Sequence, residues 1–370
     1  MMDDQKHLLH VFSTFAVGGP QVRTCEIINS LDVRFRHTII ALDGNYQCRE
    51  KLKETGDVRF REIQVDKGSL ARCVRQFRNL LKEIRPDLLL TYNFGAVEWG
   101  LANSVLGICR HLHHEDGFGP EEQQQQLRRR VLVRRLFLRK IERLIVPSKR
   151  LEEIAVRSWK FPRDVIAYVP NGVDCHHYAR GASRHSRQDD LVIGTVATLR
   201  REKNIPRLIR IFRRLIEKTE IRHLNPRLVI AGNGPEYQEI TRIVQENNVD
   251  GRIEMIGYVQ DPAQVFRDFD IFAITSDTEQ MPLSVLEAMA AACPVAGMDV
   301  GDIKSMLSRE NQTLISPAGD ELHLEGVLEN LLLDAELRKT LGHRNQEVCG
   351  ERFDKQLMFA RYEKLYAGNS

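Results

Sequence analysis

Two carboxylates, Glu279 and Glu287, follow the apolar run at 270–276 and flank Met281-Pro282-Leu283. Pro282 suits a first helical turn, so Glu279 falls in the loop before a helix and Glu287 about one and a half turns inside it. Carboxylates placed this way accept hydrogen bonds from hydroxyl pairs at two points along a ligand. Glu287 sits among Leu286, Ala288, Met289 and Ala290, where an unpartnered charge is costly to bury. The competing reading is an acid on a helix dipole plus an incidental surface charge. Upstream, Arg200, Arg201 and Lys203 lie between a strand and the helix after it. Cations at such a turn suit phosphate, and a solvated basic loop is the alternative. Gly18-Gly19 occupies the same kind of turn earlier in the chain. Glycines there let a ligand approach the backbone and the amides at a helix start, although a ligand-free tight turn uses them as readily. No third glycine completes G-x-G-x-x-G, which disfavours a nicotinamide cofactor.

These residues need a scaffold, and the hydrophobic pattern supplies one. Short β-rich runs at 7–12, 37–42, 58–63, 87–92, 108–113 and 144–146 alternate with helical periodicity at 19–31, 69–84 and 121–139. The rhythm breaks near Pro170-Asn171-Gly172-Val173-Asp174 and a polar stretch at 180–190. It restarts with strands at 191–196, 227–231, 253–256, 270–275 and 294–296. The pattern predicts an α/β chain of two Rossmann-like domains with parallel sheets facing across a cleft. Their bounds are 1–170, a linker at 171–190, and 191–353, with a final amphipathic helix at 354–370 returning to the first domain. A chain of 370 residues exceeds what one core supports, in keeping with two domains.

Composition excludes other classes. The longest apolar runs are strand-sized, far short of the ~20 residues of a membrane helix. The start, Met1-Met2-Asp3-Asp4, has no basic region before an apolar one, so a cytoplasmic location is expected. Seven scattered cysteines without C-x-x-C spacing signal neither disulfides nor a metal site. A net charge of +3 does not imply nucleic-acid binding. The segment 127–143, from Leu127 to Arg143, is nonetheless a basic amphipathic helix. It suits peripheral contact with anionic lipid at the inner face of a membrane, and equally an outer helix with its charges in water.

Taken together, several segments make the chain resemble the retaining glycosyltransferases of family 4, which have the GT-B architecture: Gly18-Gly19, Pro170-Asn171-Gly172-Val173-Asp174, Glu202-Lys203-Asn204, Ala231-Gly232-Asn233-Gly234-Pro235, the Glu279/Glu287 pair, and Glu287-Ala288-Met289-Ala290 leading to Pro294. The resemblance runs nearly end to end. It implies transfer of a sugar from a nucleotide-sugar donor, UDP- or GDP-linked, to a glycan or lipid-linked acceptor in polysaccharide or glycolipid synthesis, without cofactor or metal. By it, Gly18 and Gly19 approach the donor diphosphate, Lys203 and Arg200 pair with it, Glu279 holds the sugar and Glu287 the ribose. Asn171, Gly232, Met281, Pro282 and Leu283 line the donor site. Of the histidines ending the 108–113 strand, His113 is chosen to stand by the transferred sugar, and Asn93, Glu115 and Asp116 are placed on the acceptor side. Thr198 replaces the phosphate-binding arginine of many relatives, Gln280 a common glycine, and Ala291-Ala292-Cys293 a glycine-bearing turn. An epimerase or phosphorylase on the same fold, or a non-catalytic nucleotide-sugar-binding protein, are the alternatives.

Overall fold

The computed structural model describes residues 5–31, 34–54, 56–65, 68–105, 107–118, 120–122, 126–179, 191–247 and 251–368. The chain divides into two compact units, one of residues 1–170 with 358–370, the other of residues 171–357.

The first unit holds β1 (Lys6–Phe12), β2 (Phe35–Ala41), β3 (Val58–Phe60), β4 (Leu88–Tyr92), β5 (Arg110–His114), β6 (Arg143–Val146) and β7 (Ile166–Tyr168). All pair in parallel, in the order β3-β2-β1-β4-β5-β6-β7. Its helices are α1 (Gly19–Leu31), α2 (Leu70–Ile84), α3 (Val97–Ser104), α4 (Arg128–Phe137) and α5 (Lys149–Arg157). Serine hydroxyls cap two of them: Ser69 accepts from the Arg72 amide and Ser148 from the Leu151 amide. The second unit holds β8 (Val192–Val196), β9 (Arg227–Ala231), β10 (Ile253–Gly257), β11 (Ile271–Ile274), β12 (Val295–Met298) and β13 (Ile315–Ser316). These are again parallel, in the order β10-β9-β8-β11-β12-β13. Around them lie α6 (Cys175–Ala179), α7 (Ile205–Glu217), α8 (Thr219–Arg222), α9 (Tyr237–Asn247), α10 (Pro262–Phe266) and α11 (Leu283–Ala290). The helices α12 (Ile303–Met306), α13 (Arg309–Gln312), α14 (Glu321–Leu333), α15 (Ala335–Phe353) and α16 (Lys355–Ala367) follow. Parallel strands covered on both faces must be apolar throughout, as Leu88-Leu89-Leu90 and Ile271-Phe272-Ala273-Ile274 are.

Three sequence boundaries shift. The helix expected at 121–139 starts only at Arg128, because the Glu122 carboxylate accepts the Leu127 amide at 3.1 Å and ends the preceding turn there. Residues 171–179 pack within the second unit: the Val173 amide donates to the Phe353 carbonyl at 2.9 Å and Tyr178 is buried. The rest of the expected linker, 180–190, lies outside the described residues. The final helix begins at Lys355, since Asp354 is drawn into a bridge with Val173.

Most of α16 belongs to the first unit, where Met358, Phe359, Tyr362 and Tyr366 join the core under β1 and β2. Arg110 on β5, held by Glu142, donates to the Leu365 and Tyr366 carbonyls at 3.1 Å and so closes the helix's carboxyl end.

Histidines fill unusual places in this sheet. His10 bonds Tyr92 and His37, each at 2.9 Å, and His114 stacks on Tyr92 at 4.4 Å. Burial, then the nearness of His37, His114 and His7, holds His10 well below the usual histidine value, burial and then Arg23 hold His114 there, and burial beside His113 brings His111 down to about 3. These rings are neutral in the folded chain and gain protons on unfolding below about pH 6.5. Stability is therefore full above that pH and is lost as the pH falls, by up to about 1.4 kcal/mol per pH unit for each ring. Urea titrations at pH 7.5, 6 and 5 are expected to show a midpoint that drops steadily. A midpoint unchanged down to pH 5 would contradict the neutral assignment.

Candidate active site

Strand order reverses direction between β8 and β11, the place where parallel sheets present ligands. The loops leaving the carboxyl ends of these two strands, 197–204 and 275–282, are fastened to each other. The Thr275 hydroxyl donates to the Asn204 carbonyl at 3.1 Å and lies 3.3 Å from that of Lys203. The Asn204 amide group donates to the Asp277 carboxylate, and the Asp277 backbone amide to the Glu202 carbonyl at 2.8 Å. Arg207 adds a bond to the Thr275 carbonyl at 2.9 Å and an ion pair to Asp277 at 2.7 Å. Asn204, left-handed at φ 46°, also caps α7 by accepting the Arg207 amide. On this clasp Lys203 Nζ meets Glu279 Oε1 at 2.5 Å, and the Ser276 hydroxyl donates to the same oxygen at 2.7 Å.

The second carboxylate is fixed separately. Glu287 lies on α11, one turn past Leu283, and accepts the Tyr178 hydroxyl at 2.9 Å. Asn171 steadies the connecting loop, its side-chain amide donating to the Met281 carbonyl at 3.0 Å and its backbone amide meeting Met281 Sδ at 3.3 Å. Gly172 passes so close to α16 that a Cβ there would stand 2.7 Å from Lys355 Cα. Met281 and Pro282 are buried and Leu283 half-buried, whereas Arg200 extends an exposed side chain. Gly232, at φ 136°, lets β9 pass under the 197–204 loop, with a hypothetical Cβ only 1.8 Å from the Ala197 carbonyl oxygen. The structure thus joins Lys203 to Glu279 and Asn171 to Met281. It gives Gly232 a close-packing reason and binds Glu287 to a tyrosine.

In the first unit the equivalent reversal lies between β1 and β4. After β1 comes Gly18-Gly19, with Gly19 opening α1; that helix has no acid in its first turn, and a Cβ on Gly19 would meet nothing within 4 Å. After β4 comes Asn93, whose side-chain oxygen accepts the Asp116 amide at 2.8 Å. The Asp116 carboxylate pairs with the buried Arg23 at 2.5 Å. His113 is fully buried, with Nδ1 2.7 Å from the Thr91 hydroxyl and Nε2 3.4 Å from Glu115. Glu115 turns inward as well, to Arg134 at 3.0 and 3.1 Å, and Arg134 reaches on to Glu122. The Arg134 guanidinium lies over the rings of Phe94 and Trp159, both 4.9 Å away. Burial alone would raise the Glu115 pKa, but Arg134 overcomes it and keeps the carboxyl below the usual range.

Sequence reasoning did not single out Ser276, Tyr178 or Arg134. Ser276 stands three residues before Glu279 and was legible as a neighbour. Tyr178 follows the Asn171-Gly172-Val173-Asp174 segment but meets α11 only through the fold. Arg134 was read as one cation among several on a surface helix; its burial shows only when α4 is placed over Glu115.

Residues 182–348 match the model of the glycosyl transferases group 1, and residues 18–172 that of the glycosyl transferase 4-like domain. The chain is 25% identical to N-acetyl-alpha-D-glucosaminyl L-malate synthase of Bacillus anthracis over 48% of this chain and 46% of that protein. It is also 25% identical to the putative glycosyltransferase EpsF of Bacillus subtilis, over 80% of this chain and 79% of that one. Among solved structures, the Anabaena protein Alr3699/HepE in complex with UDP and glucose superposes with a TM-score of 0.82 at 16% identity, covering 98% of this chain and 100% of that chain. That likeness establishes the GT-B fold.

Substituting Gly232→Ala tests the packing account. The added methyl group must displace the 197–204 loop, and a loss of at least about 2 kcal/mol is expected in thermal or urea unfolding. An unchanged melting temperature would show that the loop yields without cost.

Proposed function

We propose that the chain, which has the GT-B fold and matches two glycosyl transferase models, is a glycosyltransferase that moves a sugar from a UDP- or GDP-linked donor to a glycan or lipid-linked acceptor. The reaction retains the anomeric configuration and uses no metal. One observation carries this reading: Lys203, Glu279 and Ser276 gather on clasped loops where the second sheet reverses, with Glu287 held a helical turn further on.

In the proposed reaction Lys203 exchanges Glu279 for the donor diphosphate. Arg200, exposed on the same loop, adds a second cation. The freed Glu279 carboxylate takes sugar hydroxyls, and Glu287, steadied by Tyr178, takes those of the ribose. As the bond from the anomeric carbon to the phosphate oxygen breaks, negative charge grows on the leaving diphosphate, where Lys203 and backbone amides stabilise it. The acceptor hydroxyl forms the new bond from the same face and gives its proton to the departing phosphate oxygen. Asn171, Gly232, Met281, Pro282 and Leu283 shape the donor loops. In the first unit Gly18 and Gly19 offer helix-start amides to a phosphate oxygen. His113 takes a sugar hydroxyl only if the chain after β5 opens, since its ring and Glu115 are both fully buried. Asn93 and Asp116 order the acceptor loop, while Glu115 acts through His113. The Anabaena structure holding UDP supports a UDP-linked donor, and likeness to the capsular polysaccharide biosynthesis glycosyltransferase CapM of Staphylococcus aureus, 26% identical over 48% of this chain and 46% of that protein, supports a role in polysaccharide synthesis.

Among the described residues no helix is long and apolar enough to cross a membrane. On α4, Leu132 and Leu136 are 53% and 55% exposed, and Leu127 just before it 44%, beside exposed Arg128, Arg129 and Arg135. Exposed leucines interleaved with arginines support peripheral contact with anionic lipid, at the cytoplasmic face if the acceptor is lipid-linked.

Purified protein incubated with a panel of nucleotide sugars tests the reading. Stabilisation by UDP or GDP is expected, with acceptor-dependent transfer lowered at least 100-fold in kcat/KM by Lys203→Ala or Glu279→Gln. Tyr178→Phe is expected to raise KM for the donor several-fold while leaving kcat within about twofold, because it loosens only the ribose carboxylate. No binding or turnover of any nucleotide sugar by the wild type would end the proposal. A donor isomerised without acceptor, or turnover that requires free phosphate, would make the protein an epimerase or a phosphorylase instead.

A further inference from the structure

Away from the residues so far given roles, the first unit carries a groove of 610 Å3 between the chain leaving β3 and helix α2. Arg61, Arg72, Arg75, Gln64, Gln76 and Asn79 line it. Arg72, Gln76 and Asn79 fall on one helical face with Arg75, at three- and four-residue spacing; the Gln76 amide donates across the groove to the Gln64 carbonyl at 2.5 Å and Arg72 Nε lies 3.4 Å from the Ser69 hydroxyl, so the stripe carries guanidinium and carboxamide groups that partly hold the groove's own walls. Two carboxylates also line the groove, Glu62 and Glu83, and Glu83 is engaged by Arg61 at 2.7 Å. The basic character continues along the helix through Arg78 and Lys82 to Arg85, and Glu83 is the only acid in α2. Aromatic side chains do not line the groove, so it is suited to a polar ligand and not to a stacked base.

Its position matters as much as its lining. Arg61 directly follows Phe60, so the groove opens at the carboxyl end of β3. That is the same edge of the sheet at which β1 delivers Gly18-Gly19 and β4 delivers Asn93. With strands ~4.8 Å apart, β3 ends about 10 Å from β1, roughly the span of two sugar rings.

Carboxamides pair with sugar hydroxyls, and guanidinium forks bind carboxylate or phosphate oxygens through two parallel bonds. We propose that this groove is an acceptor subsite that binds the oxyanion of an acidic acceptor, a glycan or glycan carrier bearing carboxylate or phosphate. The proposal rests on the glycosyltransferase reading and adds the class of acceptor to it.

Two probes separate the sources of the oxyanion: trigalacturonate for a uronate glycan and farnesyl diphosphate for a phosphorylated carrier, with neutral maltotriose as control. Binding to the full chain is measured at several salt concentrations for the wild type and for the double variant Arg72→Ala, Arg75→Ala. Both positions are exposed on a helix that tolerates alanine, and an unchanged melting temperature checks the fold. One anionic probe is expected to bind, to outcompete maltotriose, and to lose at least tenfold in affinity in the double variant; the probe that does so names the source. Binding of neither anion, equal binding of maltotriose, or full affinity in the double variant overturns the subsite. If the anion binds and the double variant loses it, yet the wild type turns over no nucleotide sugar, the glycosyltransferase reading falls and the groove stands as an oxyanion site.

Discussion

The contact between Lys203 and Glu279 organises the second unit's ligand-facing edge. An ammonium and a carboxylate brought to 2.5 Å, both largely withdrawn from water, need their backbones held still, and the two loops supply that through Thr275, Asn204 and Asp277. Each charge also keeps the other satisfied while no anion competes for the lysine. A diphosphate that takes the lysine therefore releases a carboxylate beside it, and binding of one ligand group readies the receptor of the next. Glu287 is fixed in turn by the Tyr178 hydroxyl.

In the first unit the buried charges have a different character. Arg134 gathers two carboxylates against aromatic faces, and Arg23 gathers Asp116, so the loop after β5 is pinned by ion pairs inside the protein, and Asn93 ties the loop after β4 to it. Removing one partner of such a pair strands a charge in low dielectric. Residues here therefore act on function through the shape they impose, and nearby His114 stays neutral because burial penalises its charged form.

Much of this was legible in the chain. The parallel sheets follow from apolar runs of strand length alternating with helical periodicity, and the spacing of Glu279 and Glu287 around Pro282 placed one before and one within a helix. Short elements escaped: β7 and β13 have three and two residues, and α3 is apolar and buried almost all round, so no amphipathic period marks it. Side-chain partners escaped for another reason. That Tyr178 meets Glu287, or that Arg134 is buried while Arg135 one residue on is exposed, depends on where helices lie over a sheet. The inward turn of Glu115 had no local sign at all. Gly232 is a middle case, since a glycine after a strand was visible but not whether it made room for a ligand or for the Ala197 carbonyl.

The return of α16 to the first unit has a consequence for how the molecule comes into being. The seven strands of the first unit leave the ribosome ahead of the second unit, but their core lacks Met358, Tyr362 and Tyr366 until all of the second unit has been translated. The second unit is contiguous and can close in a single pass, whereas the first waits with apolar surface uncovered. A nascent chain halted before residue 358 would thus be a target for chaperones in its first unit, not in its second.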